Sequence, residues 1–76
     1  MQMFNFDFMR NDRSEPIETF NNMLRTLNEA KNRCKNLYAG RGITIGAHSV
    51  RVRENGGTTI VYSWPEETLI PQGPKA

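Results

Sequence analysis

The sequence predicts a small α+β domain of β-α-β-β order, with one helix packed on one face of a three-stranded sheet. Three stretches carry that prediction. Phe4, Phe6 and Phe8 alternate with Asn5 and Asp7, the period-two signature of a half-buried strand. Thr26-Leu27-Asn28-Glu29 opens an amphipathic run that continues to Tyr38. Residues 48–64 contain two alternating segments hinged on Asn55-Gly56-Gly57, which reads as a β-hairpin.

Three phenylalanines on one strand face need a cover, and the only segment large enough is the following helix. Arg10-Asn11-Asp12-Arg13-Ser14 is a polar turn, and Ser14-Glu15-Pro16 suits a helix start. A stronger start lies at Thr26-Leu27-Asn28-Glu29, a capping box in which Thr26 caps an amide and Glu29 reaches back to the Thr26 amide. Leu27, Ala30, Cys34, Leu37 and Tyr38 then recur at helical spacing, and Glu29 and Arg33 form an i,i+4 pair. The helix is placed at 27–39, with Gly40 as its left-handed stop. Ile17, Phe20, Met23 and Leu24 extend the same stripe, so one helix from about 15 to 39 is an open reading. Asn21 and Asn22 oppose it as weak helix formers, and the alternative sends 17–20 back along the first strand as a short hairpin.

Gly40 to Gly46 is a glycine-punctuated connector whose Ile43 and Ile45 are expected to plug the sheet end. In the hairpin, a three-residue loop puts Val50 and Val52 beside Ile60, Tyr62 and Trp64, giving one apolar face. Arg51, Arg53, Thr59, Val61 and Ser63 then face outward. A right-handed crossover makes the first two strands parallel; the last strand lies between them or at the edge. Residues 1–64 are expected to form the domain, and 65–76 a flexible Pro-containing tail in which only Leu69 and Ile70 are apolar enough to dock.

At 76 residues the core is thin, and ordering the backbone and side chains costs roughly 1.5 kcal/mol per residue. Cys34 is the single cysteine, so no disulfide forms within the chain, and with one histidine it falls short of a zinc ligand set. No metal or cofactor is expected. No run approaches the ~18 apolar residues of a membrane span. Asn5 and Asp7 interrupt the apolar start, which argues against a signal peptide and for a cytoplasmic setting. The net charge of +2 is uneven: residues 25–53 hold Arg25, Lys31, Arg33, Lys35, Arg41, Arg51 and Arg53 against Glu29 alone. Such a block suits either a polyanion or a solvated helix face.

Phe4-Asn5-Phe6-Asp7-Phe8, Thr26-Leu27-Asn28-Glu29-Ala30 and Val50-Arg51-Val52-Arg53-Glu54-Asn55-Gly56 together resemble short uncharacterised proteobacterial proteins of unknown function. Those share an aromatic first strand, a Leu-x-Glu-Ala helix and a terminal hairpin, and the resemblance implies the fold but no activity. Gly46-Ala47-His48 with its hairpin resembles the Gly-Ser-His hairpin of the small HicA-type toxin ribonucleases. That resemblance implies a double-stranded-RNA-binding-like fold with His48 as acid/base. Ala47 stands where that family has Ser, and no Pro-x-His follows.

The functional expectation is a small non-catalytic binding or assembly module that self-associates, or takes a protein partner, through an exposed strand edge. The alternatives are a nucleic-acid-binding protein using Lys31, Lys35, Arg41, Arg51 and Arg53, and a minimal ribonuclease using His48. The glycines at 40, 42 and 46 follow the helix rather than precede it, which opposes a phosphate loop. Arg41 there is expected to screen the last carbonyls, and Cys34 and the methionines to serve packing.

Overall fold

The computed structural model describes residues 1–65. The expected tail, with Leu69 and Ile70, lies outside the described residues apart from Pro65. The described elements are β1 (Gln2–Met9), β2 (Glu18–Leu24), α1 (Leu27–Leu37), β3 (Ser49–Glu54) and β4 (Ile60–Trp64), in a single sheet of order β2-β1-β3-β4. Every neighbouring pair is antiparallel.

The sheet therefore has four strands, not three. The additional one is β2, in the stretch left open between a helical extension at 15–25 and a short hairpin at 17–20; it is a strand, and it runs on to Leu24. Its apolar residues fit both periods, and pairing decides between them. Thr19 stands opposite Asp7 and Asn21 opposite Asn5, each joined to its partner by a side-chain hydrogen bond. A helix here would forfeit those bonds and leave one edge of β1 bare. Because β2 reverses the chain before the helix, β1 and β3 are antiparallel rather than parallel, and α1 instead links the parallel strands β2 and β3 across β1. The last strand, β4, lies at the edge.

The helix begins as expected. Thr26 is extended (φ −136°, ψ 162°) and its Oγ1 accepts the Glu29 amide at 3.2 Å. The return bond differs: the Glu29 carboxylate takes the amide of Arg25, at 2.8 Å, instead of that of Thr26 or a pair with Arg33. At the other end α1 passes into a wider π turn at Tyr38–Gly42. Gly40 lies inside that turn, and the left-handed residue that releases the chain is Gly46 (φ 80°). Within this connector Gly42 is the crowded position, since a Cβ there would sit 3.3 Å from Tyr38 Cδ1 and 3.5 Å from Phe8 Cε2.

Val50 pairs with Trp64 and Val52 with Tyr62, the expected apolar register. The register then shifts between Val52 and Arg53, so Ile60 falls opposite Arg53 and stays exposed instead of joining that face. Asn55 (φ 52°) and Gly56 (φ 74°) form the turn, closed by the Gly57 amide on the Glu54 carbonyl at 2.8 Å. A two-residue turn with both centres left-handed thus opens a five-residue connection to Ile60, in place of the expected three-residue loop, and the register shift sits at Val52/Arg53 in the strands.

Phe4, Phe6, Phe8, Val50 and Val52 from the sheet meet Ala30 and Cys34 from α1 and Ala47 from the connector in one buried cluster. Ile45 packs against it, whereas Ile43, expected beside it, is exposed. The helix lies chiefly over β3 and β4 and touches β2 little. Phe20 on β2 therefore keeps 38% of its surface exposed while its ring meets Phe8 edge-on, with centroids 5.4 Å apart. Phe6→Ala should cost about 3–5 kcal/mol, enough to unfold much of the population, and Phe20→Ala less than half of that. Urea denaturation at low protein concentration measures both.

Candidate interaction site: an open strand edge backed by a polar network

The sheet face away from α1 should be wet, yet Asp7 at its centre is fully buried and Asn5 nearly so. Neighbouring side chains cover them. Arg53 grips Asp7 through Nε to Oδ2 (2.7 Å) and Nη2 to Oδ1 (2.9 Å). Arg51 Nε adds a contact to Oδ2 at 3.2 Å, and Thr19 Oγ1 donates to Oδ1 at 2.9 Å. The arginine stems lie over the strand while part of each head remains in water. Arg53 Nη1 also donates to the Gly57 carbonyl at 2.8 Å, tying the cluster to the hairpin turn. Beside it Asn5 Nδ2 donates to Asn21 Oδ1 (2.7 Å), and Asn5 Oδ1 accepts the Gly56 amide (2.8 Å).

Burial alone would raise the Asp7 carboxyl pKa, but hydrogen bonds from Arg53, Thr19 and Arg51 and the charge of Arg53 outweigh it and hold it below the usual value. At the end of β2, Arg41 forms a two-point pair with Glu18, Nε to Oε1 and Nη2 to Oε2, both at 2.9 Å. The bonds from Arg41 hold the Glu18 carboxyl below its ordinary range.

This network fixes the inner side of β2 and leaves its outer side open. The Asn55 amide donates to the Met3 carbonyl, one step beyond the Phe4–Glu54 pair. Met3 and its odd-numbered neighbours on β1 therefore bond to β3, and the even-numbered ones to β2. On β2 the even residues then bond inward, and the backbone groups of Thr19, Asn21 and Met23 point away from the sheet. No other strand among the described residues meets that edge. Met23 is 51% exposed, and Leu27, just beyond the strand, 37%.

The five basic candidates occupy three separate places. Arg51 and Arg53 lie on the open sheet face, bound to Asp7. Lys31 and Lys35 reach from α1 over the rings of Tyr62 and Trp64, with Nζ 5.3 and 4.8 Å from the centroids. Arg41 pairs with Glu18 rather than with the last helix carbonyls. His48 is exposed, and its Nδ1 accepts the Asn11 amide at 2.8 Å while its own amide donates to the Met9 carbonyl. Cys34 is buried, its Sγ 3.2 Å from the Val50 carbonyl, and burial pushes the thiol up to about 12. Asp7 itself was missed by the sequence reading; its signal was an acid in the polar register of an otherwise neutral aromatic strand, opposite two arginines in the hairpin.

No family model matches the chain, and neither the curated proteins nor the solved structures offered a match.

Arg53→Ala should cost about 2–4 kcal/mol because it strips two charged hydrogen bonds from a buried carboxylate, and Arg51→Ala less than about 1 kcal/mol. Chemical denaturation of both variants measures the difference. The Asp7 pKa is lower folded than unfolded, so its contribution is fully present above the ordinary value of 3.8 and is lost as pH falls through the folded value. Stability measured below pH 4 should drop less steeply with acid in Asp7→Asn than in the unaltered chain.

Proposed function

We propose that this chain is a small non-catalytic binding or assembly module that engages another protein chain by adding a strand to β2. The observation that carries the reading is the outer edge of β2, where the backbone groups of Thr19, Asn21 and Met23 are aimed at solvent beside Phe20 and Met23. Strand edges left available for pairing are normally blunted by lysines, prolines, bulges or inward charges. Between Glu18 and Leu24 there is no proline, no lysine and a single charge, which Arg41 already holds. The edge is also kept straight and in register from behind, by Asp7 on Thr19 and by Asn5 on Asn21. Backbone hydrogen bonds would supply the affinity, and pockets beside Phe20 and Met23 the selectivity.

The other candidates are occupied differently. Arg51 and Arg53 share the one carboxylate of Asp7, and the lysines stand on the helix side of the sheet, so the five basic candidates do not form one surface. The His48 Nδ1 and the Cys34 thiol are each taken up by backbone contacts, and among the described residues neither is hydrogen-bonded to a second side chain that would make a nucleophile–base pair.

The test is photo-crosslinking in cells with benzoylphenylalanine at Met23, compared with the same group at exposed Arg33 on α1. Discrete adducts to one protein species, whether this chain or another, are expected at position 23 only. Absence of adducts at 23, or equal patterns at both positions, overturns the reading.

A further inference from the structure

We infer that the strand added to β2 is the β2 strand of a second copy, paired antiparallel about a two-fold axis at Asn21 and perpendicular to the sheet. This rests on the strand-addition reading above and names its partner. The two-fold restricts the choice. Residues that face each other across an antiparallel pair share a sheet face, so odd residues must meet odd ones and even residues even ones. Because the groups of Thr19, Asn21 and Met23 point outward, the odd pairs are the hydrogen-bonded ones. Among the allowed registers, centring on Asn21 is the one that pairs the whole of Glu18–Leu24 with itself. Thr19 then exchanges bonds with Met23, Asn21 with its own copy, and Met23 with Thr19.

Charge and side-chain chemistry agree with this register. The strand has one charged residue, Glu18, at its very end. Centring on Asn21 keeps the two glutamates at opposite ends of the new ribbon. Each stands opposite Leu24 of the other copy, so an acid meets an apolar residue rather than another acid. On the helix face, Phe20 faces Asn22 and lies diagonal to both Leu24 and Phe20 of the second copy, within reach of an aromatic ring. Phe20, left 38% exposed because α1 sits chiefly over β3 and β4, thereby gains neighbours on that face. The middle of the strand is neutral, and Asn21 is already held by Asn5 from behind. The result is a continuous eight-stranded antiparallel sheet with both helices on one face.

The experiment is sedimentation of the full chain with a cysteine trap. The unaltered protein should be dimeric at ~100 μM, a modest affinity. Met23→Pro, which removes an outward-facing amide at an edge position where proline is tolerated, should be folded and monomeric, with a melting temperature that no longer depends on protein concentration. Under oxidation Asn21→Cys should give a disulfide-linked dimer. Met23→Cys should not, because in this register the two copies of residue 23 are separated by four residues of strand, roughly 13 Å. Cys34 is buried and does not compete. Should Asn21→Cys fold poorly for want of its bond to Asn5, amide exchange in the unaltered chain decides: Thr19, Asn21 and Met23 should slow with rising protein concentration. A monomer at ~100 μM, or linkage at 23 instead of 21, overturns the inference. A monomer whose position 23 crosslinks to a different protein in cells overturns the inference while leaving strand addition standing.

Discussion

The clamp of Arg53, Arg51 and Thr19 on Asp7 is the interaction on which the rest of the structure depends. A buried carboxylate is costly unless its oxygens are satisfied, and here the donors come from the strands on either side of β1. Pairing β1 with the wrong residues of either neighbour would strand that charge. The clamp therefore acts as a registration mark. It reaches β2 through Thr19, β3 through the arginines and the hairpin turn through Gly57, while the apolar face opposite supplies bulk burial that many registers would satisfy almost as well. The two faces of β1 divide the labour, with phenylalanines driving collapse and Asp7 and Asn5 deciding alignment.

The same division explains why the open face is quiet and the edge is not. Arginines that appear in the sequence as outward and available are spent on an internal acid. Lysines that read as solvated lie on aromatic rings. Among the described residues no strand covers the outer side of β2 or of β4, and the β2 edge has Phe20 and Met23 partly exposed beside it.

Much of this was legible in the residues. The aromatic strand, the Thr26 cap, the helical stripe and the pairing of Val50 and Val52 with Trp64 and Tyr62 all follow from local periodicity, and all appear in the structure. The second strand was ambiguous for a physical reason. Ile17, Phe20, Met23 and Leu24 satisfy a helical period, while the partners that make a strand of the segment, Asn5 and Asp7, lie more than ten residues away. No window of local sequence contains them. Missing that strand also reversed the relative direction of β1 and β3. Arg51 and Arg53 were placed on the correct face, but their role was read as outward because the acid they hold is 44 and 46 residues earlier in the chain. The bulge at Val52/Arg53 had no signal beyond a surplus of small residues after Asn55.

The central place of β1 has a consequence for how the chain comes to be folded at all. The β1–β2 hairpin is local and can close as soon as its residues exist, yet it leaves Phe4, Phe6 and Phe8 without a lid. The helix and β3 that enclose those rings come later in the chain, and β3 closes the longest loop between paired strands among the described residues. A ribosome making this protein thus displays a sticky aromatic ribbon for the time needed to synthesise some thirty further residues, on the order of seconds. That interval adds a transient exposure of aromatic rings to the bare β2 edge that the finished fold keeps.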